Sequence, residues 1–241
     1  MAELTWVPAE RIESTSGRSK DEHDPWTSLQ PHPRQPLSGL KVLCVTHAIA
    51  GPSAGRTLAE HGASVLQVMI THGFEHHFVY TYANLGCAST RMKLHKRADR
   101  QRLQTLVEDA HVWIDPYRPL SIDKFGFSDE DIRTLNHGMI NARVRCYGTI
   151  GPWSSKSGSD MQGSASSGMI GYVSDDDRPK WPPGMVINDY TAGYSTALAI
   201  QSILLERFRD DVNPSNEWRL SPILTGTAMA SSSTSRLPKL S

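Results

Sequence analysis

The sequence predicts an α/β fold, a Rossmann-like parallel sheet with flanking helices. From Leu40 onward, short apolar runs such as LKVLCV and SVLQVM alternate with segments of helical periodicity, which is the pattern of β-α-β units. A Gly-Pro-Ser turn follows the first run. Pro52 suits the first turn of a helix and Gly62 suits its end. These observations together predict a strand, a turn, a short helix and a second parallel strand at the start of the domain.

The remaining elements follow in chain order. Leu103, Leu106, Val107 and Ala110 fall on one helical face, and Ser128 with Asp131 can form a capping box. After residue 145 the chain is rich in Gly, Ser and Pro until the longest helical segment begins at Asp189. The predicted strands are 41–46, 64–69, 111–115, 139–145 and a last strand-like piece, EWRLSPIL; the predicted helices are 52–61, 97–110, 128–136, a short one near 160–170, and 189–208.

Composition divides the 241 residues into three parts. Residues 1–36 are rich in Ser, Pro and charged residues, with Trp6 and Trp26 as the large aromatic groups, too little to bury a core. We therefore expect a mobile arm at 1–36, a Rossmann-like domain at 37–230 and a disordered tail at 231–241.

Charge and cysteine content exclude several classes of partner. Lys plus Arg and Asp plus Glu number 25 each, so no net charge attracts nucleic acid or an anionic membrane. The three cysteines contain no C-x-x-C pair, which favours buried thiols in a reducing compartment. No apolar run approaches the ~18 residues of a membrane span, and the chain ends in PKLS rather than S-K-L. We expect a soluble, cytoplasmic protein; a peroxisomal or mitochondrial location stays open.

The motifs of several common sites are absent from the sequence. The turn after the first strand lacks G-x-G-x-x-G, and the second strand ends at Met69 rather than at an acidic residue. His72, His76 and His77 include an i, i+4 pair without a third ligand at a suitable spacing, so no metal site is predicted. The serines of 154–167 lack G-x-S-x-G and S-x-x-K. The basic stretch from Arg91 to Arg97 is a solvated face or a phosphate contact.

Two carboxylates are candidate catalytic residues. Asp189 precedes the longest helix, and Asp160 lies in GSDMQGSASSG, whose glycines and serines allow a ligand close to the backbone. Each suits a structural N-cap. Each could also act chemically, because a helix N-terminus keeps a carboxylate ionised and its N–H groups stabilise negative charge on an attacked carbonyl. The sequence pattern by itself leaves both interpretations open.

The order of several phrases resembles the family III CoA-transferases, also called the CaiB/BaiF family, which includes α-methylacyl-CoA racemases. The phrases are PLSGLKVLCVTHAIAGPSAGRTLAEHGASVLQV, VWIDPYRP, RCYGTIGPW, GSDMQGSASSG and VINDYTAGY. They run from about Pro36 to Thr227, and the wording is most similar to fungal members. The resemblance implies the N-terminal half of the family fold, since members have about as much chain again after this one stops.

The resemblance also implies chemistry and site residues. Asp189 would attack an acyl-CoA thioester, and an aspartyl-CoA intermediate would pass CoA to a carboxylic acid; Asp160 would be a supporting acid/base. Coenzyme A is then a substrate, no tightly bound cofactor is expected, and the completed fold would form a homodimer. The implied CoA-binding residues are His47, Ala50, Gly51, Arg91, Arg118 and Tyr147.

The chain departs from the family pattern at several positions. Ile49 stands where formyl-CoA transferases have glutamine, Met69 replaces the usual acidic residue, and Cys87 and Ala88 replace two cationic residues. The alternatives to a transferase are a racemase that uses Asp160 as acid/base and an inactive CoA-binding or dimerising fragment.

Overall fold

The computed structural model describes residues 9–12, 26, 29, 34–70, 77–118, 120–175, 178–181, 186–209 and 217–220. Its strands are β1 (Ala9–Ile12), β2 (Lys41–Cys44), β3 (Ser64–Ile70), β4 (Ala88–Met92), β5 (Val112–Asp115), β6 (Ile140–Arg143) and β7 (Glu217–Leu220). Its helices are α1 (Ala50–Glu60), α2 (His77–Ala83), α3 (Arg97–Glu108), α4 (Asp129–Leu135), α5 (Asp160–Ser166), α6 (Met169–Tyr172) and α7 (Ile187–Arg209), with a 3-10 turn at Asp123–Phe125.

The strands form one sheet in the order β1-β7-β6-β5-β2-β3-β4. The pairs from β7 to β4 are parallel, and β1 is antiparallel to β7. Strands β5 and β6 are buried along their whole length, as expected of parallel strands covered on both faces. The predicted parallel α/β sheet with flanking helices is confirmed.

Two apolar clusters lie on opposite faces of the sheet. One joins α1 and α7 to the side chains of Val42, Ile114 and Ile140. The other joins α3 and α4 to Leu43 and Trp113. Neighbouring residues of β2 and β5 thus point to opposite faces, which is why these segments read as unbroken apolar runs in the sequence.

Most predicted elements lie within a few residues of the observed ones, and the capping box at α4 is present: Asp131 N donates to Ser128 Oγ, and Ser128 N donates to Asp131. The segment predicted as one helix near 160–170 forms two, α5 and α6. The sequence patterns missed β1, α2 and β4. Of the three free thiols, Cys44 and Cys146 are buried and Cys87 is half-buried.

Part of the segment predicted as a mobile arm contacts the domain. Strand β1 pairs with β7, and the Trp26 indole N–H donates to the Gly138 carbonyl at 3.1 Å. The Arg207 guanidinium lies 4.2 Å above the Trp26 ring, a cation–π arrangement. The predicted tail at 231–241 lies outside the described residues.

Helices α1 and α7 cross at Gly193. A Cβ atom built on Gly193 would lie 2.7 Å from the Ala50 carbonyl oxygen and 2.8 Å from Ser53 Cβ. Both distances are well inside van der Waals contact, and one of the opposing atoms belongs to the backbone. The glycine therefore sets how closely the start of α7 approaches the start of α1.

Gly193→Ala is expected to destabilise the fold by about 1–3 kcal/mol, the usual cost of overpacking. Alanine favours a helix interior by about 1 kcal/mol over glycine, so a neutral or stabilising result would contradict the close packing. Gly171→Ala in α6 is the matched control, because a Cβ there meets nothing within 4 Å. Urea unfolding followed by circular dichroism measures both.

Candidate active site at the carboxyl edge of the sheet

The order of the strands in the sheet reverses between β2 and β5. From β2 the chain continues outward to β3 and β4, whereas β5, β6 and β7 lie on the other side. In open α/β sheets, ligands bind beyond the carboxyl ends of the strands at such a switch point. The loops that follow Cys44 and Asp115 meet there.

Asp160 and Asp189 lie together beside this edge, on α5 and α7. The Asp160 carboxylate oxygen Oδ2 accepts the backbone N–H of Asn188 at 2.7 Å and that of Asp189 at 3.0 Å. The Asn188 side-chain amide donates to Ser164 Oγ at 2.7 Å. Asp160 is only 3% exposed. The two candidate carboxylates predicted from sequence are therefore brought into one site.

Asp189 is not the N-cap of the long helix, which was one of the two interpretations that the sequence left open. Helix α7 begins at Ile187, so Asp189 is its third residue. Val186 has a φ of 61°, a left-handed conformation that a β-branched residue rarely adopts. The capping acceptor comes instead from Asp160, on another helix. Its two bonds occupy the N–H groups of Asn188 and Asp189, which are then not available to an oxyanion.

The Asp189 carboxyl group is less acidic than an ordinary aspartate. Burial, and then the negative charge of Asp160, raise its pKa from 3.8 to about 6. Both causes disfavour the ionised form. A half-buried carboxylate with a raised pKa at the ligand-binding edge of a sheet is a candidate catalytic group.

Cys146 and Tyr147 follow β6, and the Cys146 thiol interacts with the two carboxylates. Burial raises the pKa of the Cys146 thiol to about 11, and the charges of Asp189 and Asp160 add to the effect. Its Sγ lies 3.7 Å from the Ser159 carbonyl oxygen. The half-buried Tyr147 ring packs edge-on against Trp153 at 5.3 Å. The thiol stays protonated and acts as a wall of the site.

The turn between β2 and α1 faces the same edge. His47 is exposed and stacks on Tyr117 with ring centroids 5.1 Å apart. Ala50 and Gly51 are buried at the start of α1, and a Cβ on Gly51 would lie 2.4 Å from Thr46 Cγ2. The backbone at Gly51 in the A-G-P turn therefore packs so closely on Thr46 that a side chain at this position would clash.

The predicted cationic contacts are spread along the edge. Arg118 is exposed, next to Tyr117 in the loop after β5. Arg91 is exposed on β4, which lies two strands away from β2. The structure thus groups Arg118 with His47 at the switch point and places Arg91 at the far side of the sheet.

A buried ion-pair network lies at the carboxyl ends of β5 and β6, next to the candidate site. Asp115, at the end of β5, is fully buried and accepts from Arg143 at 2.5 Å and from Arg145 at 3.3 Å. Its carboxylate also accepts the Trp113 indole N–H at 2.7 Å and the Tyr117 backbone N–H at 3.0 Å. Asp115 therefore links β6 to the loop that presents Tyr117.

Several site residues were missed by sequence reasoning. Tyr117 is part of the DPYRP motif, and Asn188 directly precedes Asp189. No local sequence pattern around either residue indicates that its side chain contributes to a site. Ser164 is four residues after Asp160, the spacing of helix neighbours.

In the part of the chain that the structure describes, no three His, Cys, Asp or Glu side chains cluster as a metal site would require. His72 and His76 lie outside the described residues. Among described helices, none is long and apolar enough to cross a membrane.

Comparison with known proteins decides the family. The model of CoA-transferase family III matches residues 37–215. The chain belongs to CoA-transferase family III. Strands β2 to β6, the turn at the β2–α1 junction and the segment that carries Asp189 all lie within the matched residues.

Two curated members of family III illustrate the similarity. The chain is 35% identical over 201 residues to the acetyl-coenzyme A transferase nodX of Hypoxylon pulicicidum, covering 77% of this chain and 34% of that protein. It is 31% identical over 195 residues to the probable fatty acyl-CoA transferase Rv3272 of Mycobacterium tuberculosis, covering 75% and 49%. The chain therefore spans half or less of the length of these two relatives.

Solved family III structures share the fold. A crystal structure of Rv3272 from M. tuberculosis superposes with a TM-score of 0.69 at 30% identity, covering 80% of this chain and 55% of that one. A CAIB/BAIF family protein from Brucella suis gives a TM-score of 0.70 over 81% and 56%. The described domain thus corresponds to about half of a family III chain.

Proposed function

We propose that this chain carries the nucleophile of an acyl-CoA transferase, with Asp189 as the attacking group. The observation that carries the proposal is the Asp189 carboxyl, half-buried beside Asp160 at the carboxyl edge of the sheet, with its pKa raised to about 6. Near neutral pH such a group is ionised yet more basic than an ordinary carboxylate, which suits a nucleophile.

The proposed reaction exchanges one activated bond for another. An Asp189 oxygen attacks the thioester carbonyl carbon, the C–S bond breaks, and CoA leaves as the thiolate from a mixed anhydride. The thiolate then attacks the Asp189 carbonyl of that anhydride, which releases the donor acid as its carboxylate and leaves aspartyl-CoA. The acceptor carboxylate and the thiolate repeat the two steps in reverse, so no ATP is required.

The switch-point loops are the proposed CoA site. His47 and Tyr117 present a stacked aromatic surface, and Arg118 adds a cation suited to phosphate. Tyr147 follows Cys146, whose thiol interacts with Asp189. Ala50 and Gly51 would approach the CoA moiety with backbone, as the family resemblance implies. Arg91 would meet only a distal part of the molecule. The relatives' names support an acyl-CoA donor.

The geometry disfavours a racemase that uses Asp160 as its acid/base. Both oxygens of Asp160 already accept hydrogen bonds, from two backbone amides and from Ser164. A group so occupied would have to give up these partners to exchange a proton with a substrate. The homodimer expected from the resemblance stays a prediction.

The test is covalent trapping at Asp189. The 241-residue chain is incubated with a mixed pool of acyl-CoAs, and the peptide that contains Asp189 is examined by mass spectrometry for a hydroxylamine-sensitive adduct. We expect an adduct in the native chain and none in Asp189→Asn, because an amide is not a nucleophile for this step.

Asp175→Asn is the matched control, since Asp175 is an exposed carboxylate paired with Lys180. Its adduct yield should equal that of the native chain. An adduct that persists in Asp189→Asn would exclude Asp189 as the nucleophile. A folded native chain that binds CoA in calorimetry and forms no adduct would support the inactive CoA-binding fragment.

A further inference from the structure

A compact set of hydrogen bonds joins α5 to the start of α7. We call it the Asp160 clamp; its members are Asp160, Ser164, Asn188 and the backbone N–H of Asp189. Asp160 Oδ2 accepts from the N–H groups of Asn188 and Asp189 at 2.7 and 3.0 Å, and Oδ1 accepts from Ser164 Oγ at 3.4 Å. The Asn188 amide donates to Ser164 Oγ at 2.7 Å and to the Asp160 carbonyl at 3.4 Å.

The clamp depends on the acceptor oxygens of Asp160. The backbone N–H groups of Asn188 and Asp189 can only donate, and both donate to Oδ2. The third partner, the Ser164 hydroxyl, lies 3.4 Å from Oδ1. Asp160, Ser164 and Asn188 are each at least nine-tenths buried, so water does not replace a lost partner cheaply.

The clamp also supplies what the start of α7 lacks. The first N–H groups of a helix have no partner within the helix, and two of them are satisfied here from a residue 28 or 29 positions earlier in the chain. Val186 enters the helix through a left-handed conformation, which costs free energy and persists only where the surroundings enforce it. The direction of the first turn of α7 thus depends on Asp160.

We propose that Asp160 is a positioning residue that fixes the Asp189 carboxylate for attack. The negative charge of Asp160 also keeps the neighbouring carboxylate basic. This role rests on the proposed transferase function and replaces the acid/base role expected from the sequence. Asp160 touches the backbone of the nucleophile rather than the reacting atoms.

The electrostatic surroundings of Asp189 agree with this role. After burial, the charge of Asp160 is the cause that raises the Asp189 pKa to about 6. Among the described residues, the other titratable groups that interact with Asp189 are Cys146, whose thiol has its pKa raised to about 11, and Tyr190 on α7 itself. Both are neutral near pH 7. Helix α1 meets Gly193 of α7 through Ala50 and Ser53, which carry no charge. Arg56 of α1 is charged, and it interacts with Tyr190 and pairs with Glu60. Among the described residues, Asp160 is therefore the charge that raises the pKa of Asp189.

Three variants separate charge from geometry. Asp160→Asn removes the charge and keeps one acceptor oxygen. Ser164→Ala keeps both charges and removes two hydrogen bonds of the clamp. Asp175→Asn removes an exposed carboxylate outside the clamp and is the control. In each variant the Asp189 carboxyl is titrated by carbon NMR, assigned by its loss in Asp189→Asn, and the rate of adduct formation with an acyl-CoA pool is measured.

In Asp160→Asn we expect the Asp189 midpoint to fall from about 6 toward the ordinary value, and adduct formation to slow by about tenfold or more, as for a misplaced reacting group. In Ser164→Ala the midpoint should stay near that of the native chain while adduct formation slows several-fold. In Asp175→Asn neither quantity should change.

An unshifted midpoint in Asp160→Asn, or native adduct rates in that variant, would overturn the positioning role. If Asp160→Asn does not fold, Ser164→Ala decides: a native adduct rate in Ser164→Ala overturns the proposal. The titration needs no acyl-CoA, so the two proposals can fail separately. A native chain without any adduct counts against the transferase function. A native-like Asp189 midpoint in Asp160→Asn counts against the role of the clamp.

Discussion

Asp189→Asn is expected to stabilise the protein at pH 8 by up to about 3 kcal/mol, because the pKa of Asp189 is raised from 3.8 to about 6 in the folded state and each unit is about 1.36 kcal/mol. Folding thus favours the protonated carboxyl. The stabilising contribution of that group is complete below pH 3.8 and is lost as the pH rises through 6. Asparagine does not ionise, so the variant does not suffer this loss.

Urea unfolding at pH 5 and pH 8 measures the effect. The difference in unfolding free energy between Asp189→Asn and the native chain should increase by about 1 kcal/mol from pH 5 to pH 8. Only this part of the effect is measured, because pH 5 already lies between the unfolded and folded pKa values. Asp175→Asn should show no such increase, since Asp175 is exposed. A stability difference that does not change with pH would mean that Asp189 is not strained in its ionised form. A residue whose removal stabilises the fold is kept for its chemistry rather than for folding.

Asp115→Ala is expected to destabilise the protein by about 3–5 kcal/mol, the cost of breaking a buried ion pair by removing one partner. The Asp115 carboxylate is fully buried between Arg143 and Arg145. Its removal leaves Arg145 buried without its charge partner, although Arg143 keeps Asp129. The Tyr117 N–H also loses its acceptor, so the His47–Tyr117 stack should loosen.

Two controls accompany this variant in urea unfolding. Asp109→Ala removes one half of an exposed ion pair with Lys41, in which both side chains are about half exposed, and should cost less than about 1 kcal/mol. Asp115→Asn keeps the shape and one acceptor and should fall between the two. Equal losses in Asp115→Ala and Asp109→Ala would show that the buried network contributes little.

The sequence predicts the centre of this fold well because local and tertiary requirements agree there. The strands at Val42, Ile114 and Ile140 are covered on both faces, so their apolar runs are visible without any structure. Strand β4 was missed because it is an edge strand with mostly exposed side chains, ASTRM, which has no apolar periodicity. Strand β1 lies in a polar segment and pairs only with β7, about 200 residues later.

The candidate site was predicted in its residues but not in its geometry. Asp160 and Asp189 were identified by the family resemblance and by their positions near helix starts. Their contact spans 29 residues and depends on how α5 and α7 pack, which no local pattern encodes. For the same reason, the sequence pattern could offer Asp189 as an N-cap, whereas the acceptor in the structure is Asp160.

The Asp160 clamp has an evolutionary consequence. It holds α7 by its first turn and α5 by its first residue, so the position of the Asp189 carboxylate depends on contacts between residues 28 or 29 positions apart. The side chains of Asp160, Ser164 and Asn188 are bonded to one another, and losing one partner leaves a buried polar group unsatisfied at a cost of about 1–3 kcal/mol. Changes at these three positions are therefore expected to be coupled in evolution, whereas changes at the exposed Met161 of α5 are expected to be independent of them.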